Sequence, residues 1–274
     1  MKSLTLVNVS QGSKELDSPD RARVARFETA TGVYFLPTDA PGDVVIAAIK
    51  AGQMFEPHII QAASEYITRD TVVLDVGANF GQMAMAFARA VGPGGRVYAF
   101  EADTFIAKLL QDTLVANGSR NVVPVCHAVW DTCGEKKFYP EPDFKRFSSY
   151  GSYGLDPRAQ AGRVVETITI DSLDIRDPVS FMKVDIQGSD LFALRGARET
   201  IRRHQMPILF EYEEQFQKEF GTCLEDYLAF IDSIGYRTER IIDGINYLIV
   251  PRARSSSSRG LRVNRSAGDP GPHG

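Results

Sequence analysis

Residues 72–81 read VVLDVGANFG, an apolar run that meets an acid at Asp75 and passes into a loop with glycines at 77 and 81. The Val-Val-Leu start suits a parallel strand buried on both faces, and the two glycines permit a sharp turn with close backbone approach. Gln82 to Val91 carries alanines at 84, 86, 88 and 90, which favours a helix, and Gly92-Pro93 supplies its stop. Strand, glycine turn and helix in direct succession aim the free N–H groups of the helix at whatever the loop holds. The expected occupant is a nucleoside-bearing cofactor, held by Gly77, Ala78, Asn79, Phe80 and Gly81.

The acid selects among such cofactors. A nicotinamide dinucleotide places its pyrophosphate over the loop, where the Asp75 carboxylate would repel it, whereas S-adenosylmethionine has no phosphate and offers an α-ammonium. The pattern D-x-G-x-x-x-G, with Asn79 where G-x-G-x-x-G has a middle glycine, agrees with the second ligand. A second strand, Arg96 to Phe100, leads to Glu101, 20 residues beyond Gly81, where a carboxylate accepts both ribose hydroxyls. Ala102 and Asp103 beside it, and Ala128 at the end of a third strand, Val122 to Ala128, complete the expected cofactor contacts.

With 274 residues, 43% hydrophobic and 24% charged, the chain is long enough for one sizeable α/β core. No stretch approaches the roughly 18 apolar residues of a membrane span, and MKSLTLVNVSQGS lacks the charged-then-apolar pattern of a signal peptide, so a cytoplasmic protein is expected. Three cysteines, 126, 133 and 223, fit no paired framework, and the four histidines have no metal-ligand spacing. The net charge of −4 divides into +4 on residues 251–274 and −8 on the rest. That balance makes the body a poor nucleic-acid binder, and the Ser-, Gly-, Pro- and Arg-rich tail is expected to be disordered.

Punctuation along the body alternates strands and helices. Residues 1–69 are expected to form a small N-terminal cap, with a hairpin from Arg23 to Leu36 and a helix from Pro57 to Ile67; residues 70–250 form the cofactor-binding domain. After the helix Asp103 to Ala116 and the strand Val122 to Ala128 come two strands, Glu135 to Tyr139 and Val164 to Ile170. The loop between them, with Phe144, Phe147, Tyr150 and Tyr153, is a candidate substrate lid. Strand Phe181 to Val184, helix Asp190 to His204, strand Ile208 to Tyr212 and helix Leu224 to Ile234 follow. The last strands, Tyr236 to Ile242 and Ile245 to Val250, flank Asp243-Gly244, a strong hairpin signal. The sheet therefore ends antiparallel. A dinucleotide-binding Rossmann sheet stays parallel, and a terminal antiparallel hairpin marks the Rossmann-like sheet of class I methyltransferases.

The chain resembles the FkbM-type S-adenosylmethionine-dependent methyltransferases from about Phe55 to Val250. The carriers are VLDVGANFG at 73–81, VYAFEAD at 97–103, TIDSL at 169–173, MKVDIQGSDLFALRGA at 182–197 and ILFEYEE at 208–214. The resemblance implies methyl transfer to oxygen, since members of that family methylate hydroxyls of sugars, glycolipids and macrolides. It departs at Gln187-Gly188-Ser189-Asp190, where the family usually has Glu-Gly-x-Glu, and at Ala84, where it usually has a hydroxyl residue.

An acceptor alcohol must lose its proton, and ligands of such sheets bind beyond the carboxyl ends of the strands. Asp185, closing strand Phe181 to Val184, is therefore the first candidate base and a cofactor neighbour, with Glu211 and Glu213 at the end of the next strand as alternatives. Strand alternation puts those two glutamates on one face and Tyr212 on the other. Lys183 reads as an ion-paired lysine or an anchor for an anionic substrate, His127 as a structural histidine or a base, and Trp130 as a packing aromatic or a shield for the cofactor's base. The expected activity is O-methylation of a small-molecule or glycan acceptor: a sugar, a glycoconjugate or a secondary metabolite. The competing readings are a nicotinamide oxidoreductase and an inactive S-adenosylmethionine-binding protein.

Overall fold

The computed structural model describes residues 20 and 22–253, so most of the basic tail and the first 19 residues lie outside the described residues. β3 (Val72–Val76), β4 (Arg96–Phe100), β5 (Val122–Val125), β9 (Val179–Val184), β10 (Ile208–Glu211), β11 (Tyr236–Ile242) and β12 (Asn246–Pro251) form one sheet in the order β11-β12-β10-β9-β3-β4-β5. Six of the seven strands run in one direction, and β12 alone inserts antiparallel, between β10 and β11. The turn at Asp243-Gly244, both at positive φ, produces that reversal; with Ile242 paired to Asn246 the loop holds three residues, so β12 starts one residue later than the sequence suggests.

β3 is buried along its whole length. Val73 faces one apolar layer, built with α3 (Gln82–Val91) and α4 (Thr104–Ala116). Val72, Leu74 and Val76 face the other, built with α5 (Asp190–Arg195), α6 (Arg198–His204) and α8 (Leu224–Ser233). Side chains alternate along a strand, so Asp75 belongs to the α3 side.

The N-terminal hairpin, β1 (Val24–Thr29) with β2 (Gly32–Pro37), stands outside the main sheet and packs on α4. Its edge is satisfied by helix side chains: Val33 N donates to Asn117 Oδ1 (3.0 Å), Asn117 Nδ2 donates to Val33 O (2.6 Å), and Phe35 N donates to Thr113 Oγ1 (3.2 Å). Tyr34 and Leu36, fully buried, join the core of the α3 layer. The cap thus shares the apolar core of residues 70–250.

Several elements differ from their sequence-based outlines. The expected strand Val122 to Ala128 is two strands in different sheets: His127 N donates back to Val125 O (3.1 Å), the chain turns, and β6 (Ala128–Val129) joins β7 (Lys136–Tyr139) and β8 (Arg163–Ile168) in a small second sheet. The helix Asp190 to His204 is broken at Gly196-Ala197. A Cβ at Gly196 would lie 1.9 Å from Trp130 O, and Asp171 captures the N–H groups of Glu199 and Thr200 that open α6. α1 (Val44–Lys50), capped by Asp43 on Ile46 N (2.9 Å), α2 (Pro57–Ser64), which is shorter than expected, and α7 (Glu214–Phe220) complete the helices. α1 and α7 are punctuated in the sequence, α1 by Pro41-Gly42-Asp43 and Gly52 and α7 by Gly221, but neither figures among the sequence-based outlines. No helix among the described residues is long and apolar enough to cross a membrane.

Candidate active site

A cavity of about 430 Å³ opens at the carboxyl ends of β3, β4, β9 and β10, the position that an open α/β sheet offers a ligand. Its floor is the turn after β3, with Gly77, Ala78, Asn79 and Phe80. One end holds Glu101, Ala102, Ile106, Ala128, Val129 and Tyr139; the other holds Asp185, Gln187, Glu211 and Glu213. Lid residues Phe147, Tyr150 and Tyr153 form part of the wall.

The β3 turn is built against the chain itself. Gly77 (φ +86°) has room for no side chain: a Cβ would sit 1.9 Å from the carbonyl oxygen of Asp185. Gly81, also at φ +86°, packs on Leu110 of α4, whose Cδ1 would lie 2.6 Å from an added Cβ, and it is absent from the cavity wall. The sequence assigns both glycines to cofactor approach; the structure shows that strand-end and helix packing already require them.

Glu101 Oε2 accepts Asn79 N (3.0 Å) and Oε1 accepts Asp103 N (2.9 Å), so its carboxyl is fixed at the cavity with lone pairs to spare. Burial and the Asp103 charge raise it to about 7, against backbone N–H bonds that lower it. Asp103 itself lies off the cavity wall: it caps α4 through Phe105 N (2.9 Å) and pairs with Arg163 at 2.6 Å.

Asp75 is fully buried and does not line the cavity. The β3–β9 register sets it beside Lys183, whose Nζ lies 3.8 Å from Asp75 Oδ1, 3.2 Å from Asp185 Oδ2 and 3.1 Å from Gly77 O. Burial lifts the Asp75 carboxyl to about 6, with Lys183 opposing. Burial alone would lower the Lys183 ammonium, but Asp185, Asp75 and Glu56 hold it above its ordinary value. Lys183 is thus the ion-paired lysine of the alternatives that the sequence leaves open.

Gln187, in a left-handed conformation at φ +53°, donates through Nε2 to Asp185 Oδ1 (3.0 Å) and to Glu211 Oε2 (2.9 Å). It occupies a position where the resemblance leads one to expect glutamate, and its amide, unlike a glutamate carboxylate, has two N–H groups to give to two carboxyls. Burial, with the neighbouring Asp185, Asp190 and Glu213 charges, drives Glu211 far above the usual carboxylate range. Asp190 is buried under this turn, accepting Gly188 N (3.1 Å), and is not on the cavity wall. Tyr212 packs away from the site on Tyr227 and Tyr247.

Two sequence candidates lie elsewhere. His127 is not on the cavity wall. Trp130 stacks on Phe192 at 4.1 Å in a separate cluster. Of the lid aromatics, Tyr150 is buried between Phe80, Phe105 and Phe144, so this segment is packed wall. Glu56 lines the cavity and has no counterpart among the sequence candidates. Its one sequence signal is the Phe55-Glu56-Pro57 step at a helix start.

The residues present fit an adenosine-bearing cofactor. Glu101 offers a fixed acceptor to a ribose, the slot beside it is apolar, and Asn79 Oδ1 is buried with no hydrogen-bond partner. Sheet order and the place of the cavity at the strand ends are those of a class I methyltransferase fold. The family model described as Methyltransferase FkbM domain matches residues 75–238, more than half of the chain, and the protein belongs to that family. No curated protein matches the sequence. Among solved structures, the chain is similar to methyltransferase FkbM from Methylobacillus flagellatus KT, at 20% identity and TM-score 0.46, covering 71% of this chain and 50% of that one. It therefore spans half the length of that relative. It is also similar to an S-adenosylmethionine-dependent O-methyltransferase from Thermotoga maritima (13% identity, TM-score 0.42, 85% and 87% covered). A third is the fibrillarin of Aeropyrum pernix with natively bound S-adenosyl-L-methionine (15%, 0.38, 83% and 80%).

Proposed function

We propose that the protein methylates a hydroxyl group of a neutral, polar acceptor such as a sugar, a glycoconjugate or a hydroxylated secondary metabolite. The observation that carries this reading is the wall opposite Glu101: Glu56, Asp185, Glu211 and Glu213 line it, and the lysine on it, Lys183, is already paired. Carboxyl groups accept hydrogen bonds from hydroxyls, and the ionised ones among them would repel an anionic acceptor.

When bound, S-adenosylmethionine supplies a methyl group activated by its sulfonium. Glu101 would hold the ribose, with Ala102, Ala128 and the loop from Gly77 to Phe80 around the nucleoside. Asp75 and Gly81 support that loop from behind, and Asp103 supports it from the α4 cap. Asp185, pinned by Lys183 and Gln187, orients the acceptor beside the methyl group. The protein mainly contributes alignment, because the donor is already reactive.

Methyl-labelled S-adenosylmethionine with a panel of neutral glycans and hydroxylated metabolites tests the reading. The expected product carries one methyl ether. Transfer only to nitrogen or carbon, or no transfer by a protein that binds the cofactor, would remove it.

The ribose assignment has its own expected outcome. A carboxylate accepts from two ribose hydroxyls only when ionised, and Glu101 titrates at about 7. Cofactor affinity is therefore full above that pH and falls as the pH drops through it. Glu101→Gln loses a charge-assisted contact of about 1.5–3 kcal/mol, so the dissociation constant at pH 8 should rise roughly ten- to a hundredfold. Calorimetry at pH 6, 7 and 8 checks both; affinity that ignores pH and the substitution would place the ribose elsewhere.

A further inference from the structure

Glu56 is held where it stands by contacts unrelated to capping. It sits in the left-handed region (φ 46°, ψ 57°) immediately before Pro57, and its side chain makes no cap hydrogen bond to α2. A residue before proline is normally driven to extended backbone, so this conformation persists only because its surroundings enforce it. The enforcing clamp is Gln82, 5% exposed, the first residue of α3 directly after the glycine loop. Gln82 Oε1 accepts Phe55 N (2.7 Å), and Gln82 Nε2 donates to Gln53 O (2.9 Å). On the other side, His58 pairs with Asp243 of the β11–β12 turn at 2.6 Å. The segment that carries Glu56 is thus tied at once to the cofactor loop and to the terminal hairpin, and it sets the carboxyl on the cavity wall.

We infer that Glu56 is the group that takes the proton from the acceptor hydroxyl. This rests on the hydroxyl-acceptor reading above. The other carboxyls at this end are committed. Asp185 gives one oxygen to Lys183 and the other to Gln187, so each already accepts from a neighbour. Burial, with the Asp185, Asp190 and Glu213 charges, holds Glu211 far above the usual carboxylate range, which favours its protonated form. Among the described residues, no side chain or backbone N–H donates to Glu56. Burial and the Asp185 charge raise its carboxyl to about 7, with Lys183 and His58 opposing and Asp243 adding to the rise. A base poised there is partly ionised at working pH and still basic enough to matter. As the acceptor oxygen bonds to the methyl carbon, the hydroxyl proton passes to the Glu56 carboxylate and later to solvent. The electron pair of the broken carbon–sulfur bond stays on sulfur, which leaves as a neutral thioether.

Two measurements on the full chain test this. In protein with ¹³C-labelled glutamate carboxyls, titrated with S-adenosylhomocysteine bound, a resonance that titrates near neutral pH should vanish in Glu56→Gln and persist in Glu101→Gln. With any acceptor found by the hydroxyl panel, Glu56→Gln should lower turnover by about 10²–10⁴-fold, with unchanged S-adenosylmethionine affinity confirming an intact fold. The wild-type rate should rise with pH and level off above about 7, Glu56→Gln should lose that rise, and Glu56→Asp should recover part of the rate. Turnover of Glu56→Gln within a few-fold of wild type, or a Glu56 carboxyl that stays ionised into the ordinary glutamate range, overturns the inference. An empty hydroxyl panel with a neutral Glu56 titration counts against the hydroxyl reading alone, and the titration alone then decides on Glu56.

Discussion

Lys183→Met should destabilise the protein by about 3–5 kcal/mol, because it strips from a buried carboxyl the one counter-ion it has among the described residues. Asp75 is fully buried, neither of its oxygens has a hydrogen-bond partner, and Lys183 is the cation within 4 Å. Methionine fills a similar volume, so the loss is electrostatic rather than a cavity. The sign with pH follows from the Asp75 shift. Its folded pKa, about 6, already lies above the ordinary 3.8, and removing Lys183 raises it further. A carboxyl that binds its proton more tightly in the folded state favours folding in acid, so the defect of Lys183→Met relative to wild type should be largest at pH 7–8 and shrink as the pH falls through that raised pKa. Asp75→Asn in the same chain should restore most of the loss. Urea unfolding of the single and double variants at two pH values measures this; a double variant as unstable as Lys183→Met alone would show that the pair is not the source.

Gly77→Ala should be about as damaging by a different route. A side chain at φ +86° is strained by about 1–3 kcal/mol, and the new Cβ would stand 1.9 Å from the Asp185 backbone oxygen, adding about 1–3 kcal/mol of overpacking. The obstacle is backbone, so relief requires β3 and β9 to separate at the end that forms the cavity, and cofactor binding should fall with stability. Gly81→Ala has equal backbone strain but meets the movable end of Leu110, so it should cost less. Thermal unfolding and calorimetric titration with S-adenosylhomocysteine compare the two; equal losses would mean that the Gly77–Asp185 approach has slack.

The strand, turn and helix at 72–91 were legible because each depends on local chemistry: an apolar run, residues free to take positive φ, and an alanine-rich segment with a glycine stop. The same holds for the hairpin around Asp243-Gly244 and for Glu101, which follows a strand whose length is evident. Glu211 and Glu213 reach the cavity together, as simple alternation leads one to expect. Gly196 was not legible as a helix break, since it acts through Trp130, 66 positions away in sequence.

What the sequence by itself determined, then, is the order and type of the main elements and the placing of a cofactor loop at a strand end, because these follow from periodicity and turn propensity within a few residues. What only the tertiary structure decided is which charges meet. Asp75 reads locally as a carboxyl free for a ligand's ammonium, but the β3–β9 register places Lys183 beside it. Asp185 reads as a free strand-end acid, but Lys183 and Gln187 occupy its oxygens. Glu56, which has no chemical signature in its own segment, arrives at the cavity through Gln82 and the His58–Asp243 pair. Charges in a low-dielectric interior act over distances set by packing, and strand register and backbone clamps fix those distances where local sequence cannot.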